Sequence, residues 1–349
     1  MRIMRVTGIT STTKNGWTRV ACAVESDRGA CRTLWFEVPE AFSSWIDASM
    51  DPFLIVSLPA AMRAREDLVV DGSVDTTLLE NLEGWQALYV GWFPDRFFPI
   101  TVRAPQRTTR PAATDGIAVS AFSGGVDSFY TLFESLAGRV GNPVAACLYV
   151  HGFDYALWRT ETYEITSRRY EERCESLGIR LIRVRTNAHE FLNAGGVPWD
   201  DGHGAALAAC AHLLGARVSR FLIASSHADP DSYPRGSHPE SDRRLSSSRT
   251  EIIHHGHPCT RVEKIDAVAA RPECASLLRV CWARPNGIGN CGRCEKCLRT
   301  MVALDLLGAR ERFVTFPKPT GAWMRAWKPV SKSEMAYAEE IAALAKERG

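Results

Sequence analysis

The sequence IAVSAFSGGVDS at residues 117–128 decides the fold of this chain. Its first six residues are apolar or small and predict a buried strand, and the pattern after Gly125 predicts a helix over residues 126–136. Two adjacent glycines let the backbone turn sharply and approach an anion without a Cβ in the way. The amides of the turn and of the helix N-terminus then point at one position, where Ser123 and Ser128 add hydroxyl donors. The segment therefore predicts a phosphate-binding loop between a strand and a helix.

This loop differs from two common phosphate-binding motifs. No Lys follows the second glycine, as it would in a Walker A loop, and the G-x-G-x-x-G spacing of a dinucleotide fingerprint is missing. Asp127 would repel a phosphate unless Mg²⁺ lay between them, so its presence predicts a Mg²⁺ site. The alternative is an ordinary turn in which a Ser or Asp side chain caps the helix.

Strands and helices alternate after the loop. Further apolar runs and charged or small-residue stretches predict strands at residues 144–150, 179–184 and 220–224 and helices at residues 162–177 and 204–214. Such alternation predicts an α/β fold, with a parallel sheet that carries helices on both faces. Ligands bind beyond the carboxyl ends of the strands in such sheets. Three segments follow strand ends here: residues 123–128, 151–154 and 225–229.

The first part of the chain has a different pattern. A polar stretch with two prolines at residues 104–116 predicts a boundary between domains. We expect a β-rich N-terminal domain over residues 1–110, the α/β domain over residues 111–312, and a partly helical C-terminal extension over residues 313–349. In the first domain, short apolar runs predict strands at residues 18–24, 33–38, 53–58, 87–92 and 97–102, and a helix at residues 76–82.

Bulk properties limit the classes of function. The 349 residues carry a formal net charge of only +2, which argues against a nucleic-acid partner. No apolar stretch is long enough to span a membrane and the N-terminus lacks the apolar core of a secretory signal, so we expect a cytoplasmic protein. In that reducing compartment, clustered cysteines indicate a metal or catalytic site instead of disulfides. Four of the 11 cysteines are clustered, and the scattered ones are expected to be small buried residues.

The clustered cysteines are Cys281, Cys291, Cys294 and Cys297. The last three repeat every third residue, so one turn can point three thiolates at an ion. Cys281 can reach back across a loop rich in Gly, Asn and Pro and complete a tetrahedral site. The spacing therefore predicts a structural Zn²⁺ site beside a helix at residues 298–307. The alternatives are an iron–sulfur cluster and a redox-active C-x-x-C pair.

The strand–SGGxDS–helix segment resembles the PP-loop of the N-type ATP pyrophosphatases, a superfamily that includes GMP synthetase, NAD synthetase and tRNA thiolases. The resemblance implies an adenine nucleotide α-hydrolase-like fold, in which the loop binds the β,γ-pyrophosphate of ATP and Asp127 helps to hold Mg²⁺. It implies AMP-forming chemistry instead of γ-phosphoryl transfer, and it places His151 near the adenosine, although a simple turn explains His151 equally well. The loop residues in question are Ser123, Gly124, Gly125, Val126, Asp127 and Ser128.

The loop together with the late cysteine cluster is similar to the 7-cyano-7-deazaguanine synthase family over about residues 117–307. Gly202 and His203 stand in the place of that family's V-P-x-R-N-like segment, which implies contact with the nucleotide. Lys264 stands where the family has a Lys before the zinc segment, which implies a catalytic role near the charge of the nucleotide. The segment that begins at Asp229 and continues Ser232-Tyr233-Pro234 resembles the family's D-x-S-x-Y-P sequence.

The chain also departs from this family. Gly-His-Gly replaces the Arg-Asn of the family's helix start, the family's Asp-Cys-Arg is missing after Pro234, and residues 1–110 have no counterpart. The resemblance therefore carries over the nucleotide and zinc sites and leaves the acceptor substrate open.

These features predict a C–N bond-forming ligase that uses ATP, Mg²⁺ and Zn²⁺. A small-molecule carboxylate, with a 7-deazapurine as one candidate, would be adenylated and then attacked by ammonia or an amine, which a protein or carrier could present. The product would be an amide or nitrile, and a homodimer is one candidate assembly. The alternatives are a thiolation enzyme acting on tRNA or a small molecule, and a zinc-stapled nucleotide-binding subunit without catalysis.

Two further polar regions are candidates for contact with substrate. His227 and Asp229 follow a strand end, where His227 could act as a base or contact substrate, or the pair could form a polar cap. Residues 237–257 contain four His and three Arg and predict either a substrate loop or a solvated loop. Zinc binding by His254, His255 and His257 is a third hypothesis for this stretch.

Overall fold

The computed structural model describes residues 2–29, 31–228, 232–283, 289–318 and 327–348. Its strands are β1 (Ile3–Lys14), β2 (Trp17–Ser26), β3 (Cys31–Pro39), β4 (Asp67–Val70), β5 (Ser73–Asp75), β6 (Val102–Arg103), β7 (Gln106–Thr108), β8 (Ile117–Ala121), β9 (Val144–His151), β10 (Arg180–Thr186), β11 (Val218–Ala224) and β12 (Glu251–His255). Its helices are α1 (Asp51–Ala64), α2 (Thr76–Trp92), α3 (Val126–Leu136), α4 (Thr160–Ser176), α5 (Ala188–Ala194), α6 (Trp199–Leu213), α7 (Pro239–Asp242), α8 (Arg261–Ala269), α9 (Glu295–Leu306) and α10 (Lys332–Arg348). Within these ranges, no helix combines the length and the apolar character needed to cross a lipid bilayer.

One large, mostly parallel sheet runs through the described structure, in the order β12-β11-β8-β9-β10-β3-β2-β1-β4-β6. The strands β12, β11, β8, β9 and β10 are parallel to their neighbours, as the alternation of strands and helices predicts. Strand β3 joins β10 in antiparallel pairing through Glu37 with Arg185 and Phe36 with Thr186. The N-terminal strands therefore extend the sheet of the later α/β part.

Hydrophobic cores lie on both faces of this sheet. Strand β9 shows the division, because Ala146 and Leu148 belong to one core while Cys147 and Tyr149 belong to the other. The first core contains residues of α1, α2, α5 and α6, and the second contains residues of α3, α4, α8 and α9. The buried residues of β1, β2 and β3 belong to the first core only, so helices cover just one face of that part of the sheet.

Several sequence predictions for the N-terminal part are wrong. Residues 53–58 and 87–92 are predicted as strands, but they lie in helices α1 and α2. The helix predicted at residues 76–82 gives the correct start of α2. Helix α1 is buried from Asp51 to Met62 on every side, so its apolar residues show no helical period. Only Val102 of the predicted strand at 97–102 is in a strand, and the long, largely polar β1 was missed.

The continuous first core leads to a prediction about cooperativity. Phe53 of α1 is fully buried with its ring edge against Phe36 of β3, at 5.6 Å between ring centroids. We expect Phe53→Ala to lower the free energy of unfolding by about 3–5 kcal/mol, because the cavity cannot collapse in a packed core. Denaturant unfolding followed by tryptophan fluorescence and circular dichroism should show one displaced transition. A second unfolding transition with the wild-type midpoint would contradict a single core shared by the N-terminal strands and the parallel part of the sheet.

Candidate active site at the carboxyl ends of the parallel strands

The SGGVDS loop connects the carboxyl end of β8, the middle strand of the parallel part, to the N-terminus of α3. Gly124 has a φ of +72°, in the left-handed region that favours glycine, and a Cβ there would overlap the hydroxyl of Tyr170. Gly125 N donates to Ser123 Oγ at 3.3 Å, and Ser128 Oγ donates to Gly125 O at 3.1 Å. No side chain caps the N-terminus of α3, so its positive end is available to an anion.

Two adjoining cavities meet at this loop, and their volumes are about 300 Å³ and 430 Å³. Ser123 and Asp127 line both. The first cavity has apolar walls at the ends of β9 and β11, where Leu148, Val150 and Ile223 lie. The second cavity reaches toward α8, α9 and α10 and is the more strongly charged of the two, with Arg235, Arg261, Arg279, Lys296 and Arg299 in its lining.

Asp127 lies between two buried cations of α8. Its Oδ2 is 3.0 Å from Arg261 Nη1, and its Oδ1 is 4.0 Å from Lys264 Nζ. Burial opposes the charged form of Arg261, but Asp127, Tyr337 and Glu340 together outweigh burial and raise the pKa of Arg261. Oδ1 of Asp127 is buried and accepts no hydrogen bond from the described residues. One unsatisfied carboxylate oxygen beside a phosphate-binding loop fits Mg²⁺, which is usually held by one or two carboxylates plus phosphate oxygens.

His227 and Tyr337 form a second part of the site. The Tyr337 hydroxyl donates to the backbone oxygen of Ser226 at 2.9 Å and lies 3.1 Å from His227 Nε2, and the two rings are stacked. The guanidinium carbons of Arg299 and Arg261 lie 3.8 Å and 5.3 Å from the centre of the Tyr337 ring. Burial, helped by the nearby arginines, lowers the pKa of His227 to about 3, so this ring is neutral at physiological pH.

The structure brings together most of the residues that the sequence predicts for the site. Those that line the cavities are Ser123, Gly125, Val126, Asp127, Ser128, His203 and His227. Gly124 lies behind the loop against Tyr170, and Lys264 lies beneath it and donates to Ser225 O at 2.8 Å. Asp229 is outside the described residues.

Two predicted nucleotide contacts have other surroundings. His151 is buried, stacks on Tyr163 at 4.3 Å between ring centroids and donates from Nε2 to Ala156 O at 3.1 Å. Gly202 is buried in α6, where a Cβ would lie 2.9 Å from a methyl group of Leu192. Neither residue lines either cavity.

Sequence reasoning missed Arg261, Arg279, Arg299 and Tyr337 as site residues. A capping box of Thr260 and Glu263 starts α8, and this T-x-x-E pattern is visible in the sequence. It fixes Arg261 and Lys264 three residues apart on one face of α8. Nothing local identifies Tyr337, because α10 reaches the cavity only through tertiary packing.

The histidines of residues 237–257 do not converge on one ion. His254 and His255 are consecutive in β12 and point to opposite faces of the sheet. His254 Nδ1 is 2.7 Å from Asp242 Oδ2, whereas His255 Nδ1 is 3.0 Å from Thr131 Oγ1 of α3. Within the described ranges, the only metal-compatible group of His, Cys, Asp and Glu residues is the cysteine cluster.

The sulfur atoms of Cys281, Cys291, Cys294 and Cys297 all lie within 4.8 Å of one another. The Cys291–Cys297 separation is 3.8 Å and the Cys281–Cys294 separation is 4.0 Å. Gly292, with a φ of +67°, allows the turn between the first two of the late cysteines. The cluster can therefore hold a metal ion such as zinc.

The cysteine cluster is connected to the SGGVDS loop through the backbone. Arg279 N donates to Gly124 O at 2.8 Å, two residues before Cys281. Asn290 Oδ1 accepts from Val280 N and Cys281 N, which holds the residue before Cys291 beside Cys281. Helix α9 begins directly after Cys294, and its first turns place Lys296 and Arg299 in the second cavity. A metal at the cluster would therefore fix cations that face the loop.

Comparison with known proteins gives no relative: no family model, no curated protein and no solved structure matches the chain.

The contact behind Gly124 can be tested with a matched control. Gly138 has the same φ of +72° but has open space where a Cβ would lie. We expect Gly138→Ala to cost about 1–2 kcal/mol from backbone conformation alone. Gly124→Ala should cost about 1–3 kcal/mol more, because the new methyl group meets Tyr170. Equal losses for the two variants in denaturant unfolding would show that the close contact with Tyr170 is absent.

The cysteine cluster predicts one bound metal ion per chain. Purified protein should contain one equivalent of metal by elemental mass spectrometry. Cys294→Ser should abolish it and lower the free energy of unfolding by more than about 4 kcal/mol, because metal binding contributes to folding. Cys31→Ser, which changes an exposed cysteine outside the cluster, should alter stability by less than about 0.5 kcal/mol. Full metal content in Cys294→Ser would contradict the assignment.

Proposed function

We propose that this chain binds ATP through the SGGVDS loop, transfers the AMP group to a carboxylate and lets ammonia or an amine displace AMP. The observation that carries the proposal is the position of the loop at the carboxyl end of the middle parallel strand, with an uncapped helix N-terminus facing a cation-lined cavity. The resemblance of strand–SGGVDS–helix to the PP-loop supports cleavage between the α- and β-phosphates.

The charges of the site suit a pyrophosphate leaving group. Five cationic side chains line the second cavity, those of Arg235, Arg261, Arg279, Lys296 and Arg299. The acidic residues among its described lining are Asp127, Asp154, Glu295 and Glu334, so the cations outnumber the carboxylates by one. Arg299 is anchored by Glu295 at 2.8 Å and by the face of Tyr337, so its guanidinium is positioned before a ligand arrives. Fixed cations of this kind stabilise developing negative charge without reorganising during the reaction.

Asp127 would hold Mg²⁺ in this proposal through its Oδ1, the buried oxygen that accepts no hydrogen bond. Bound Mg²⁺ would neutralise charge on the phosphate oxygens. The chain itself orients Asp127, because Arg261 binds Oδ2 and leaves Oδ1 without a hydrogen bond from the described residues. The ammonium group of Lys264 adds positive charge close to the loop. Burial lowers the pKa of Lys264 because it disfavours the charged form, and the carboxylate of Asp127 partly offsets this effect.

We assign the cysteine cluster to structural Zn²⁺. Four thiolates at about 2.3 Å from a tetrahedral ion lie about 3.8 Å apart. Two sulfur–sulfur separations in the cluster are 3.8 Å and 4.0 Å, and all four sulfur atoms lie within 4.8 Å of one another. An iron–sulfur cluster distributes its four thiolates over two or four irons, which separates thiolates on different irons farther than a single ion does. All four ligands are protein thiolates, so the ion has no open position for catalysis.

Carboxylate activation is favoured here over thiolation. A thiolation enzyme needs a cysteine near the activated atom to carry sulfur. Of the cysteines in the described ranges, Cys281 is the one that lines the cavities, and its thiol belongs to the cluster. The apolar walls of the first cavity suit an organic acceptor.

The proposal predicts the product of ATP turnover. The chain should be incubated with ATP, Mg²⁺, ammonia and each of a 7-deazaguanine carboxylate, benzoate, acetate and glutamate. We expect carboxylate-dependent release of AMP and pyrophosphate, measured by phosphorus NMR or chromatography. ADP and phosphate as the products would overturn the mechanism.

The same assay tests Asp127. We expect Asp127→Asn to lower kcat/KM for AMP formation about 10²–10³-fold, because the neutral amide cannot hold a cation beside the phosphates. Asp266→Asn, at an exposed position of α8 outside both cavities, is the control and should retain wild-type activity. Wild-type activity in Asp127→Asn would remove the loop from the mechanism.

A further inference from the structure

A buried Asp–His pair lies in the wall of the first cavity. The side chain of Asp242 is fully buried, and its Oδ2 accepts hydrogen bonds from His254 Nδ1 at 2.7 Å and from Ser237 Oγ at 2.6 Å. The His254 side chain is only 7% exposed, and its ring lines the cavity that Ser123 and Asp127 also line. His254 therefore lines the same cavity as the SGGVDS loop, but the pair lies on α7 and β12.

Local structure explains why these residues meet. His254 lies near the carboxyl end of β12, the edge strand of the parallel part, where ligands of such sheets bind. Asp242 ends the short helix α7, whose start is fixed by the His238 ring accepting from Glu240 N. Ser237 adds a second donor to Asp242, so the carboxylate is held in one orientation.

The hydrogen bonds determine which nitrogen of His254 can meet a ligand. A carboxylate accepts only, so Nδ1 carries the proton and Nε2 keeps its lone pair. In the part of the chain that the structure describes, Nε2 of His254 has no hydrogen-bond partner. The carboxylate behind Nδ1 also fixes the tautomer and the orientation of the ring, so that Nε2 is held in one position. His254 is thus built as a proton acceptor that faces the cavity.

His203 and His227 also line this cavity, but the Nε2 of His227 lies 3.1 Å from the Tyr337 hydroxyl and His203 is less suited to that role. Its Nδ1 donates to the backbone oxygen of Trp199 at 3.1 Å, and no carboxylate supports it. Burial, with a contribution from Arg235, lowers the pKa of His203 to about 4. His203 therefore gains a proton less readily than an ordinary histidine, and no carboxylate fixes its ring.

We propose that His254, positioned by Asp242, is the general base of the second half-reaction; this inference rests on the proposed function. Ammonia or an amine attacks the carbonyl carbon of the acyl-adenylate, and a C–N bond forms. Nε2 of His254 takes a proton from the nitrogen, and the C–O bond to the phosphate breaks with its electrons leaving on AMP. The proton then passes from His254 to solvent. Adenylation of the carboxylate needs no base, so His254 does not act in that half-reaction.

The two half-reactions can be measured separately. Carboxylate-dependent exchange of labelled pyrophosphate into ATP reports adenylation, and amide formation with ammonia reports the whole sequence, with the four carboxylates of the activity assay as probes. His254→Asn is the decisive variant, because its amide nitrogen can still donate to Asp242 while Nε2 is gone. We expect exchange within about twofold of wild type and amide formation about 10²–10⁴-fold slower.

Further variants exclude a purely structural role. Asp242→Asn should slow amide formation about 10–100-fold with exchange retained. Added imidazole should partly restore amide formation in His254→Ala, because the cavity left by the ring can admit a free base. His255→Gln, the neighbouring histidine bound to Thr131 on the other face of β12, is the matched control and should be active in both assays. Thermal unfolding of each variant checks that it is folded.

The outcomes separate the two proposals. If His254→Asn folds and loses exchange and amide formation equally, or keeps wild-type amide formation, the role of His254 is overturned while the proposed function stands. If the wild-type chain forms no AMP and exchanges no pyrophosphate with any of the four carboxylates, the proposed function fails and this inference fails with it.

Discussion

The hydrogen bond from Arg279 N to Gly124 O is the contact on which the arrangement of the site depends. It joins the loop that follows β8 to the segment that leads into the four cysteines. Glycine is required at position 124, because its backbone is left-handed and Tyr170 occupies the space that a Cβ would need. Two distant parts of the chain are thereby held in a fixed relative position, and α9 starts at a fixed distance from the N-terminus of α3.

The electrostatics of the site follow from this relative position of the loop and α9. The carboxylate of Asp127 faces Arg261 and Lys264, while further cations approach from α9. A cluster of buried cations is costly without anions to balance it, and the described acidic residues at the loop balance it only in part. The imbalance favours a polyanionic ligand, whose binding would relieve repulsion that the fold already contains. The neighbouring apolar walls around Leu148 and Ile223 suit a different, less charged molecule.

The parts that sequence reasoning recovered are those with local causes. The limits of α3 agree with the prediction because two glycines precede it and its apolar spacing is regular, and the four cysteines are grouped as their spacing indicated. Helices α1 and α2 were misread because one is buried all round and both lie in a stretch of short apolar runs. Arg261, Arg299 and Tyr337 reach the cavity through packing between α8, α9 and α10, and sequence patterns do not report which helices will touch. The chemistry proposed for the loop comes from its resemblance to the PP-loop.

The junction of β3 with β10 has a consequence for how the chain is made. The two strands pair although about 150 residues separate them along the chain. A ribosome therefore releases β1, β2 and β3 well before the strand that covers the edge of β3 exists. Until then that edge presents unpaired amide and carbonyl groups to any other extended chain, as unprotected sheet edges do. Newly synthesised copies are most exposed to misassembly in this interval, and binding by a chaperone would matter most there.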